Sequence, residues 1–164
     1  MKHSKNTYTG SEEGDIMLFN QATDYGFRIV LFLTKHEGKR VEAKEISNKE
    51  NIPERFLFKI MRKLTKEGIV KSYRGVNGGF TIGREPEDIS LLDVVEAIEG
   101  PILINACFIS DNQCNKGITS SCVVHHELAK LRHDIITYLR GVNFKSLAER
   151  EKRVKEGEIL INFD

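Results

Sequence analysis

The chain has 164 residues, 40% of them hydrophobic and 30% charged, with no Trp and a net charge of +1. That is enough for one packed domain with an extension, in an ordinary globular composition that excludes fibrous and wholly disordered classes. The longest apolar run, Ile29–Leu33, is far too short to span a membrane, residues 1–15 lack an apolar secretory core, and three cysteines cannot form a closed disulfide framework; a cytoplasmic protein is expected.

The small net charge hides an asymmetry. Residues 39–84 carry twelve Lys/Arg against five Asp/Glu, a net +7, whereas residues 85–164 are net −5. A basic block in a near-neutral chain is the footprint of polyanion binding, although a solvated charged surface has the same composition.

In chain order, residues 1–16 read as a flexible extension without a periodic apolar face. A first helix is expected from about Gln21 to His36, with Ala22, Tyr25, Ile29, Val30 and Leu33 inward and Gly38 ending it. A short second helix, Glu42–Glu50, buries Ala43 and Ile46. The third opens at Pro53, suited to a first helical position, and carries Phe56, Leu57, Ile60, Met61 and Leu64 as one apolar stripe before Gly68. Arg55, Lys59, Arg62 and Lys63 occupy its other positions. Two helices joined by Asn51-Ile52-Pro53, the second basic outside, form a helix-turn-helix pattern.

Two β-type runs follow, Ile69–Arg74 and Phe80–Ile82, around Gly75-Val-Asn-Gly-Gly79, whose glycines suit a hairpin turn. A hairpin directly after a recognition helix is a wing. Ser72, Arg74, Gly75 and Asn77 are its expected DNA contacts, with Arg74 reaching a minor groove. Ser90-Leu-Leu-Asp93 is a capping box opening a helix to Glu99, closed by Gly100-Pro101.

All three cysteines then lie in one polar loop, Cys107, Cys114 and Cys122, spaced C-x6-C-x7-C and followed two residues on by His125. Thiolates bind iron and zinc strongly, and clustering in a polar loop favours ligation over buried structural thiols. After the loop, Val124, Leu128, Leu131, Ile135, Tyr138 and Val142 step by four and three along a helix of about Val123–Arg140, a coiled-coil-like seam that calls for a second copy. Phe144–Glu151 is a further short helix. No phosphate-binding glycine loop, nucleophile elbow or HExxH is present, so no enzyme is expected.

The order Thr23-Asp-Tyr-Gly-Phe-Arg28, Ile52-Pro53, Arg74-Gly-Val-Asn-Gly-Gly-Phe80, Leu92–Gly100 and a cysteine trio before a long helix resembles the Rrf-type winged-helix regulators, the IscR/NsrR-like iron–sulfur regulators, over about residues 17–150. The resemblance implies a homodimer with intertwined long helices. It implies a DNA affinity switched by an iron–sulfur cluster, 2Fe–2S or 4Fe–4S, that senses redox state, nitric oxide or iron–sulfur status. Cys107, Cys114 and Cys122 match the cluster cysteines; His125 and the partner subunit's Asp24 are rival fourth ligands, and the cysteine gaps exceed the commonest family spacing.

The expected fold is therefore mainly α with a small β wing. Its parts are an extension at 1–16, a winged helix-turn-helix domain at 17–100, a cysteine loop at 101–122, a dimerisation helix with a short helix at 123–151, and a tail at 152–164. The expected partners are a palindromic duplex operator and a second copy, with no membrane and no small-molecule substrate. Two rivals remain: a cluster-free regulator controlled by thiol oxidation or a protein partner, and a zinc-stabilised interaction protein that does not read DNA.

Overall fold

The computed structural model describes residues 19–76, 78–109, 114 and 116–159. The expected N-terminal extension, Asn77 and the last five residues of the tail lie outside these. Six helices and one two-stranded sheet follow in order: α1 (Gln21–Lys35), α2 (Ala43–Glu50), α3 (Glu54–Lys66), β1 (Val70–Tyr73), β2 (Gly79–Ile82), α4 (Leu91–Glu99), α5 (Val123–Gly141) and α6 (Phe144–Lys155).

Helix α1 begins where its sequence offers a cap. The Asn20 side chain accepts from the Ala22 and Thr23 N–H groups, and Glu99 of α4 accepts from the Asn20 N–H at 3.0 Å and from the buried Thr23 hydroxyl. A carboxylate at a helix N-terminus satisfies otherwise orphaned donors and complements the helix dipole. The two helices also pack closely. A Cβ at Gly26 would fall 2.2 Å from Ile98 Cδ1, so the backbone of α1 approaches α4 through a position that carries no side chain.

The larger of two apolar clusters forms the main core. It collects Ile29, Val30, Phe32 and Leu33 of α1, Ile46 of α2, Leu57, Ile60, Met61 and Leu64 of α3, and Val94 and Ile98 of α4. At about 1.5–3 kcal/mol for each fully buried large side chain, this cluster is what fixes the angle at which α3 is presented. Phe56, expected in the stripe, stands 38% exposed at its flank, because its position rotates it out of the 57/60/61/64 row. Pro53 is the residue preceding α3 and not its first helical residue.

The hairpin β1–β2 is antiparallel, with Val70 opposite Ile82 and Tyr73 opposite Gly79. A third contact, unexpected from the sequence, seats it on the helices: Val41 and Phe80 exchange both backbone hydrogen bonds, at 2.9 and 2.8 Å. Gly79 makes this possible, since a Cβ there would lie 2.6 Å from the Val41 carbonyl oxygen.

Helix α4 opens with the capping box as read. Ser90 N–H donates to Asp93 Oδ2 at 2.8 Å and Asp93 N–H donates to Ser90 Oγ at 3.2 Å. Burial alone would raise the Asp93 carboxyl, yet hydrogen bonds from Ser90 and the Arg84 guanidinium hold it below the usual carboxylate range.

Helix α6 is longer than expected, running to Lys155, so the region read as a tail begins inside it. Asn143 caps it and Phe144, fully buried, inserts into the main core, where α6 packs against α1. Leu91 N–H to Val142 O and Phe144 N–H to Ile89 O, 2.9 and 3.0 Å, join this C-terminal segment to the start of α4. A smaller cluster of Leu92, Val95, Ile102 and Leu139, with Phe19, Phe27, Ile135 and Ile136 beside it, holds only the second half of α5 against the body. Among the described residues, no helix is long and apolar enough to cross a membrane.

Candidate nucleic-acid interface and cysteine cleft

The basic block resolves into a surface. On α3 the row Leu57, Ile60, Met61 and Leu64 is buried, and Arg55, Lys59 and Arg62 are exposed on the opposite side. Ser72, Arg74 and Gly75 are exposed on the wing, where the Gly75 carbonyl accepts from Gly78 N–H at 2.8 Å to close the turn. An open cleft of about 450 Å³ separates helix and wing, with Lys44, Phe58, Tyr73 and Val76 among its walls. Arg40 stacks over the Tyr73 ring at 4.0 Å and Arg55 over Phe56 at 4.8 Å, which fixes both guanidinium groups beside the cleft region or the helix flank.

Lys63 does not join this row. Its ammonium donates to the Ile98 carbonyl in the last turn of α4, where helix-end carbonyls carry partial negative charge. The sequence placed Lys63 with the DNA contacts because it is basic and non-core; in this structure its exposed side chain leans on the neighbouring helix end. Conversely, Arg40, Tyr73 and Val76, which stand beside this cleft or its walls, escaped the reading.

The cysteine region forms a second site. Cys107 lies in a 3-10 turn, Ala106–Phe108, introduced by Asn105, and Cys122 directly precedes α5, so His125 falls in the first turn of that helix. Cys107 Sγ is 3.2 Å from His125 Nδ1, and the Phe108 ring stacks on the imidazole at 4.4 Å and 20°. Cys107, Cys114, Cys122 and His125 all line one cleft of about 310 Å³, with Asn105, Thr119, Val124 and Leu128 completing it. All three thiols are free and partly accessible. Backbone N–H groups of Ile118 and Lys116 point at the Cys114 sulfur and hold its thiol below the ordinary value, which favours the ligating thiolate form. His126 is on the surface.

Asp24 sits elsewhere, exposed in the first turn of α1 and paired with Arg28 at 3.4 Å; it is not part of this chain's own cleft. The six-position seam of α5 also divides. Val124, Leu131 and Tyr138 are 61%, 49% and 71% exposed along one row. Leu128 lines the cysteine cleft and Ile135 packs beside α4, so that second row is already half covered.

A helix-turn-helix with a β wing and a basic outer face, followed by a long helix with an uncovered apolar row, defines a winged helix-turn-helix DNA-binding regulator. The Rrf2 family profile, described as an iron-dependent transcriptional regulator, matches residues 19–150, and the chain belongs to that family. It is 33% identical over 116 residues to the HTH-type transcriptional regulator NsrR of Bacillus licheniformis, covering 70% of this chain and 80% of that protein. Among solved structures it resembles CymR, the global cysteine regulator of B. subtilis, with a TM-score of 0.66 and 25% identity, covering 80% of this chain and 96% of CymR. It shares its fold with T. potens IscR, at a TM-score of 0.64 and 24% identity over 88% and 93% of the two chains. The protein is a transcriptional regulator and not an enzyme.

Proposed function

We propose that this regulator works as a homodimer whose operator affinity depends on an iron–sulfur cluster held by Cys107, Cys114 and Cys122, with a fourth, non-cysteine ligand. The observation that carries this reading is the single cleft at the base of α5, into which the loop returns all three cysteines and His125. The family description as iron-dependent supports the same reading. The donor set fits such a group. Three free thiols and an imidazole line the same cleft, and the Cys114 thiol is held toward the thiolate form that ligates iron.

When bound, the cluster would supply iron open to oxidants or nitric oxide at the corner with the weakest ligand. What the chain supplies is a path from the cleft to the reader. Arg132 Nε on α5 donates to the Ile102 carbonyl at 2.6 Å, tying the dimer helix to the segment that enters the cysteine loop. Three residues earlier that segment leaves α4 at Glu99, the carboxylate that caps α1, beside the Ile98 carbonyl that holds Lys63 of α3. A cysteine loop that is ordered or released therefore pulls on the point where α1, α3 and α4 meet. A few kcal/mol of difference between two such arrangements is enough to change operator occupancy substantially.

His125 is the fourth ligand favoured by this chain's own geometry, because it already faces Cys107 across the cleft. Under anaerobic preparation, His125→Ala shifts the visible spectrum and speeds its decay in air, while Asp24→Ala leaves both unchanged. The opposite pattern assigns the ligand to the partner subunit's Asp24. A cluster-free thiol switch is the second reading, supported by the likeness to a cysteine regulator and by the accessible Cys114 thiol; it gives protein that is colourless, and whose DNA affinity follows thiol oxidation.

A further inference from the structure

A further cavity, of about 300 Å³, opens where the start of α1, the flank of α3 and the last turn of α4 meet. Tyr25, Phe56, Ile60 and Ile98 give it apolar walls, the two rings standing 6.4 Å apart and tilted by 53°. Lys59 and Lys63, one helical turn apart on α3, give it cationic ones. Lys63 uses one donor on the Ile98 carbonyl, and Lys59 has no acceptor among the described residues. The acids of this region are engaged elsewhere: Glu99 caps α1, while Asp24 and Glu50 pair with Arg28. Among the described residues, no carboxylate lines the cavity.

We propose that this cavity is a second ligand site, which takes a small organic monoanion: a carboxylate joined to an apolar body the size of one ring. Its volume lies at the small end of ligand pockets, and apolar walls with a few convergent polar groups are their usual makeup. The charge follows from the two ammonium groups, one already engaged and the other without a counter-charge. A bare phosphate suits the site less well. Pressed against Tyr25, Phe56, Ile60 and Ile98, a dianion loses hydration that two lysines cannot replace. The position also has a consequence for DNA. Lys59 belongs to the exposed basic row of α3, so an anion held by it weakens operator binding. That part rests on α3 being the DNA-reading helix.

The test titrates benzoate into the full-length protein and follows backbone amide resonances, with benzamide and inorganic phosphate as separate arms. Benzoate shifts residues 21–25, 56–63 and 98 and saturates. Benzamide, of the same ring and size without the charge, binds about fivefold more weakly, and phosphate leaves these residues unshifted. Lys63→Met also weakens benzoate about fivefold, the worth of one hydrogen bond in an open site. Ala22→Leu fills the cavity from α1 and abolishes the shifts; Lys63→Met, which leaves the core untouched, decides the matter alone where that variant does not fold. Against chloride at matched sodium concentration, benzoate lowers the operator affinity of the parent. Benzoate that does not saturate, that binds no better than benzamide, or that binds Lys63→Met as tightly as the parent overturns the site. Phosphate that displaces benzoate from the same residues overturns the carboxylate class. Saturating benzoate with operator affinity unchanged overturns the effect on DNA. A parent that binds no operator in either salt refutes α3 as the reader, while the amide shifts still decide the site.

Discussion

Lys59 and Lys63 are one helical turn apart on α3 and carry the same charge, yet the structure surrounds them differently. Lys59 projects into solvent on the face with Arg55 and Arg62, whereas the Lys63 ammonium is bound to the Ile98 carbonyl at the end of α4. Each phosphate contact contributes about 0.9 to the slope of log affinity against log salt, so Lys59→Ala on both readers of a dimer lowers that slope by about 1.8. Between 50 and 200 mM salt, that is about a tenfold smaller loss of affinity than the parent suffers. Lys63→Met keeps the aliphatic stem and removes a charge-assisted hydrogen bond, worth about 1 kcal/mol for a side chain this exposed. It therefore lowers the unfolding free energy by that amount and leaves the salt slope unchanged. Fluorescence anisotropy with a labelled operator over a salt series, paired with urea unfolding, separates the two outcomes. Equal slope changes for both variants would place Lys63 on a phosphate and refute the capture of its amine by α4.

Three further outcomes follow from other parts of the molecule. Leu131→Asp puts a carboxylate in the exposed 124/131/138 row of α5 and gives a folded monomer by sedimentation, because that row touches little of its own chain. Phe144→Ala removes a fully buried ring and costs about 3–5 kcal/mol, a fall in melting temperature of about 10 °C by calorimetry. The Asp93 carboxyl is depressed in the folded state, so its contribution is present above the unfolded pKa and lost as pH falls through the folded one. Asp93→Asn is consequently less stable than the parent near neutrality, and the two urea midpoints converge in acid.

Much of this was legible because local rules and tertiary structure agree. The capping box at Ser90 and Asp93, the glycine-rich wing turn and the 57/60/61/64 stripe each depend on a few adjacent residues, and the chain folds them as their spacing dictates. The convergence of Cys107, Cys114, Cys122 and His125 on one cleft was anticipated from their clustering, although the Phe108–His125 stacking was not. What escaped depends on distant partners. Lys63 is indistinguishable from Lys59 until α4 supplies an acceptor. The Val41–Phe80 exchange joins segments far apart in sequence, and the burial of Phe144 follows a break in the helical pattern with no periodicity around it to announce a core residue. The seam of α5 read as one surface, but α4 and the cysteine loop cover half of it, leaving Val124, Leu131 and Tyr138 exposed.

The measurement that bears most directly on the central claim is iron, acid-labile sulfide and visible absorbance on protein purified under strict anaerobiosis, with operator affinity determined on the same sample. The account predicts coloured protein with iron and sulfide in equal amounts, a colour lost in each of Cys107→Ala, Cys114→Ala and Cys122→Ala while the dimer stays folded, and an operator affinity that changes with the cluster. A colourless, iron-free protein that binds its operator and responds normally would contradict it.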